Sequence, residues 1–149
     1  MFAVTPDWTS YTGYTRLLQA GWDALVDSDP HDLQVKSLAR AAGVSTSLFH
    51  KRFPSLGGLL IEVAGAGLAT LLVNLADEAS LGDFAGAWLR FAEARPRHYG
   101  LMFSPQLAGH PGVGVRMIEL GKYLNARVEP RLARPLTTPQ LQNLFGIIY

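Results

Sequence analysis

Residues 34–53, QVKSLARAAGVSTSLFHKRF, decide how the chain is read, because they fit two short helices set at an angle by a turn that contains glycine. Val35, Leu38, Ala39 and Ala42 recur at helical spacing, and Val44 and Phe49 supply apolar contacts that pin the second helix onto the first. Ala39 is small where the two helices must cross closely. Four residues on, Gly43 can take the left-handed backbone that ends the first helix. Ser45 is then placed to cap the second. The face left over carries Thr46, Ser47, His50, Lys51 and Arg52. A pair of helices built this way can present its second member to the major groove of a duplex.

Charge sharpens that expectation. Between residues 33 and 61 the chain carries Lys36, Arg40, Lys51 and Arg52 and not one Asp or Glu, which makes phosphate the natural counterpart. Just upstream, Asp23, Asp27, Asp29 and Asp32 concentrate the opposite sign, so the formal net charge of +1 conceals a local asymmetry. The candidate DNA-contacting residues are Lys36, Ser37, Ser45, Thr46, Ser47, His50, Lys51 and Arg52.

Working outward, residues 14–26 read as a bracing helix with an apolar stripe of Leu17, Leu18, Trp22, Leu25 and Val26, stopped by SDPHD. Residues 56–75, LGGLLIEVAGAGLATLLVNL, are long enough to span a membrane. The internal Glu62, the lack of anchors at both ends and the helical spacing of the leucines favour a long buried helix instead, and no membrane partner is expected. Gly57, Gly58, Gly65 and Gly67 would each weaken that helix by about 1 kcal/mol relative to alanine, so each needs a packing reason. A helix over 83–95 follows, with Phe84, Trp88, Leu89, Phe91 and Ala92 on one side, and Pro96 opens the next, which holds His98, Tyr99, Leu101, Met102 and Phe103. A loop at 109–114 is expected before a helix over 115–133 interrupted at Pro130, and 139–149 reads as the start of another. No period-two pattern competes, so the fold is read as all-α. A three-helix DNA-binding head, residues 1–54, is joined by the long helix to a helical effector-binding and dimerisation body, residues 55–149, expected to be incomplete at its C-terminus.

With 17% charged residues against 48% hydrophobic, some apolar surface is expected to be covered by a partner subunit. The absence of cysteine excludes disulfides and thiolate zinc sites. The N-terminus shows neither a basic start nor an apolar run, and a cytoplasmic location is expected. Catalysis is not expected: Ser104 lies near His98 in sequence, but no nucleophile turn surrounds it. His31, His50, His98 and His110 lack ligand spacing, so no metal is expected, and no cofactor, since the GAG at 65–67 and GVG at 112–114 lack a preceding strand. Trp88, Phe91, Tyr99, Met102, Phe103 and Met117 form the candidate lining for a small apolar effector, with Tyr99, His98 or Arg116 as the polar contact.

Taken in order, V-x-x-L-A-x-x-A-G-V-S at 35–45, LFHKRFPS at 48–55, the Leu-rich helix after it and RFAEARPRHYGLMF at 90–103 resemble the TetR (TetR/AcrR) transcriptional regulators. The resemblance implies a homodimeric regulator, most often a repressor, that binds a palindromic double-stranded operator and releases it when a small molecule enters the body. It also implies that Ser45, Thr46, Ser47 and Lys51 face the groove. His50 stands where the family usually has a phosphate-contacting tyrosine, and Leu56 where it commonly has a lysine, which predicts a shallower salt dependence. The competing expectation is a helical protein-interaction module with weak or no DNA binding.

Overall fold

The computed structural model describes residues 6, 12–76, 78 and 80–128; the segments expected at 129–133 and 139–149 lie outside them. Among the described residues the chain is all-helical: α1 Gly13–Ala24, α2 Val35–Ala41, α3 Thr46–Arg52, α4 Leu56–Ala76, α5 Leu81–Ala94, α6 Pro96–Met102, α7 Pro105–Ala108 and α8 Pro111–Val128, with a 3-10 turn at Pro30–Asp32 between α1 and α2.

Local chemistry sets several of the boundaries. Thr12 caps α1 by accepting from the Thr15 N–H at 3.3 Å, and Ser80 caps α5 by accepting from Asp83 at 3.0 Å. Ser55 accepts from the Gly58 N–H at 3.2 Å and so satisfies a donor that α4 leaves free in its first turn. Proline opens α6, α7 and α8, where its missing N–H costs nothing.

The loop expected at 109–114 is corrected by that last observation. α8 starts at Pro111, because the Val113 and Gly114 N–H groups donate to the His110 carbonyl at 3.0 and 2.7 Å and the Gly112 N–H reaches the His110 imidazole at 3.3 Å. The His110 side chain and carbonyl supply the acceptors that let two glycines enter a helical turn. The short α7 was also missed, four residues being too few for a periodic pattern.

α4 is the axis of the molecule. It packs against α1, α5, α6 and α8, and Leu59, Val63, Leu68, Leu71 and Leu75 are buried along it. By length and composition α4 is apolar enough to cross a membrane, and burial against four neighbours accounts for the same residues. Gly67 has the packing reason it requires. A Cβ on Gly67 would lie 2.7 Å from Met102 Sδ and 3.1 Å from Trp22 Cζ3, so α6 and α1 approach the bare backbone there, whereas one on Gly65 would make ordinary contact with Arg116 Nε of α8 at 3.4 Å. One hydrophobic core runs without a break from Leu17 in α1 to Leu124 in α8.

Candidate nucleic-acid interface

α2 and α3 meet at a turn whose geometry follows from Gly43, which has φ +66°. Its N–H and that of Val44 donate to Arg40 and Ala39 at 3.1 and 2.9 Å and close the end of α2. Ser45, extended, accepts from the Leu48 N–H at 3.1 Å and starts α3. Inward, Phe49 is fully buried, its ring 5.6 Å from that of Phe53, which stacks at 5.3 Å on Tyr14 of α1. Gly13 brings the start of α1 close to α3: a Cβ there would be 3.0 Å from Leu48 Cδ2.

Phe49 points inward, whereas Thr46, Ser47, His50 and Lys51 of α3 are all exposed, as are Ser45 and Arg52. Lys36, Ser37 and Arg40 are exposed on α2. Among the described residues no carboxylate pairs with Lys36, Arg40, Lys51 or Arg52. The eight candidate DNA-contacting residues thus share one two-helix unit, with their charge left to solvent.

Sequence reasoning missed Arg16, an exposed cation on α1 whose Nη1 lies 3.7 Å from the Cβ that Gly43 lacks. Its signal was weak, since it sits outside the acid-free window. An open groove of about 750 Å³ runs past it between α1, the 3-10 turn and α2, lined by Gln19, Asp23, Asp32, Gln34 and Ser37 among others. Asp29, His31 and Asp32 place ligand atoms within 4.8 Å of one another, but all three are exposed and Asp29 is already bonded to Arg97.

Three of the six candidate effector-lining residues, Trp88, Tyr99 and Phe103, are in direct contact. Trp88 Nε1 donates to the Tyr99 hydroxyl at 2.8 Å in the interior, and the Phe103 ring lies 4.5 Å from Tyr99 and 5.8 Å from Trp88. Phe91 and Met102 are buried in the same core, and Met117 of α8 packs against it half-buried. Burial raises the Tyr99 pKa and the bond from Trp88 opposes the rise, so the hydroxyl stays neutral. His98, the other polar candidate, turns away from this cluster: its Nε2 bonds the Trp22 carbonyl at 2.7 Å, with the two rings 4.2 Å apart. No protein-family model matches this chain, and no curated protein matches it.

Proposed function

We propose that the chain is a DNA-binding transcriptional regulator of the TetR kind, most simply a repressor, which reads a palindromic operator as a homodimer in the cytoplasm. One observation carries the reading. α3 is held by a buried aromatic anchor and leaves hydroxyl, imidazole and cationic groups exposed, with no carboxylate paired to its cations among the described residues. Thr46 and Ser47, beside the Ser45 cap, suit base edges; Lys51, Arg52, His50 and Lys36 suit backbone phosphates. On this reading a small apolar effector enters the cluster around Trp88, Phe91, Tyr99, Met102, Phe103 and Met117, and releases the operator by preferring one of two head spacings.

The test is duplex binding by K51E/R52E against the parent chain. The reading requires affinity for a duplex to fall at least tenfold at low salt while the fold persists by circular dichroism. A second reading, a helical protein-interaction module, is favoured by large apolar side chains left in solvent: Val73 is 64% exposed and Ile118 is 62% exposed. Under that reading the double variant keeps its partner, and the parent chain shows no duplex binding at low salt.

A further inference from the structure

The end of α1 is incomplete by itself. The Val26 N–H donates to Asp23 at 3.1 Å rather than to Trp22, so the Trp22 carbonyl is without its helical donor and is taken by His98 Nε2 at 2.7 Å. Beyond it, the Val26 carbonyl accepts from Arg97 Nη1 at 2.7 Å, and Arg97 Nε donates to Asp29 at 3.1 Å. Both donors come from the first turn of α6, some seventy residues away in sequence. Cationic Arg97 also sits where the α1 dipole is negative. The acidic run that unbalances the first third of the sequence is therefore partly the seat for α6.

α6 faces two ways. Arg97 and His98 hold α1, whereas Tyr99, one residue on, is bonded to Trp88 and packed on Phe103 inside the aromatic cluster. Met102 closes the far turn over Gly67 of α4, beside Trp22. A seven-residue helix has no slack to absorb displacement between these ends. α1 in turn packs on both α2 and α3.

We propose that Arg97 and His98 are positioning residues that transmit any rearrangement of the aromatic cluster through α6 to the C-terminal end of α1, and so to the α2–α3 pair, by a route separate from α4. The functional meaning rests on the DNA-binding reading above. The test uses no DNA, so that reading and this one fail separately.

Hydrogen exchange is followed by mass spectrometry on the whole chain, with Phe103→Leu loosening the cluster in place of a ligand. In the parent background this substitution raises exchange of the segment containing Val26, Asp27 and Ser28 by about threefold or more. In the R97A/H98A background the same substitution adds nothing to that segment, and R97K/H98Q, which keeps a donor at both positions, restores the response. Equal increments in all three backgrounds, or a change confined to α5 and α6, overturns the proposal. Should R97A/H98A not fold, Arg97→Met and His98→Ala are taken singly, and each must reduce the response at least by half while R97K and H98Q do not.

Discussion

Gly43 and Gly67 are both glycines the fold needs, for different physical reasons. At Gly43 the only atom near a new Cβ is Arg16 Nη1 at 3.7 Å, so Gly43→Ala isolates the cost of a left-handed backbone, about 1–2 kcal/mol. At Gly67 the backbone is ordinary helix and the obstacle is steric, with buried Met102 and Trp22 on either side. Overpacking of about 1–3 kcal/mol outweighs the helix propensity that alanine gains, so Gly67→Ala is destabilising as well. Urea unfolding separates the two, since a stabilised Gly43→Ala protein contradicts the strain and a stabilised Gly67→Ala protein contradicts the close approach. The left-handed turn was legible because glycine at that offset from Ala39 has few other uses. The partners of Gly67 were not, because Met102 lies thirty-five residues away and periodicity names a face without naming its neighbour. His98 adds a pH dependence. Burial lowers its pKa most, the bond to the Trp22 carbonyl opposes this, and the charge of Arg95 lowers it further. The unfolded chain then binds a proton that the folded chain refuses, so this contribution is complete above the ordinary histidine value of about 6.5 and is lost as pH falls below it. Asp23 has the opposite sign, its pKa raised by burial, but it acts in the lower carboxylate range. Thermal unfolding at pH 7.5 and 5.5 is expected to show a drop in Tm that His98→Gln reduces; parallel profiles for the two proteins refute it.

The start of α3 was legible because the Ser45 side chain caps a free backbone donor within the same few residues. The start of α6 was legible for a different reason, Pro96 standing at its first position, where the missing N–H is not needed. The start of α8 was missed because His110 does there what a serine or aspartate usually does, and a GHPGVG run otherwise reads as loop. The cap on α3 carries more weight than its single bond. α3 has only seven residues and one fully buried side chain, so its stability comes mainly from Phe49 and from Ser45. Ser45→Ala is expected to cost about 1 kcal/mol overall and to raise amide exchange first at Leu48 and Phe49, whose N–H groups bond Ser45. Exchange that rises uniformly across α1, α2 and α3 would show instead that α3 does not loosen on its own. Ser45→Asp, which keeps an acceptor and suits the helix dipole, is expected to restore stability while placing a carboxylate beside the proposed phosphate-facing surface. Stability and duplex binding should therefore separate in that variant.

At the scale of the whole molecule, the charges sort by position in a way that the net figure hides. Lys36, Arg40, Lys51 and Arg52 stand free on α2 and α3, whereas Arg97 is engaged with Val26 and Asp29 at the other end of α1. The sequence shows both groups, but which cations are spent inside the molecule depends on contacts between α1 and α6 that no local pattern contains. Counting the free four with exposed Arg16 of α1 bounds the electrostatics of binding. Each phosphate neutralised releases counterions worth about 0.9 in the slope of log affinity against log salt, so one copy cannot exceed a slope of about −5 from these residues, and two copies on a palindrome reach about −9. The exposed Val73, Leu89, Val115 and Ile118 on α4, α5 and α8 give a second copy apolar surface to cover, away from α2 and α3. A salt titration of duplex binding, read beside the mass of the complex in solution, is therefore expected to give a slope steeper than about −5 together with a two-copy complex. A slope of about −5 or shallower with two copies bound would mean that only one head touches the duplex, and a slope near zero would remove phosphate from the interface altogether.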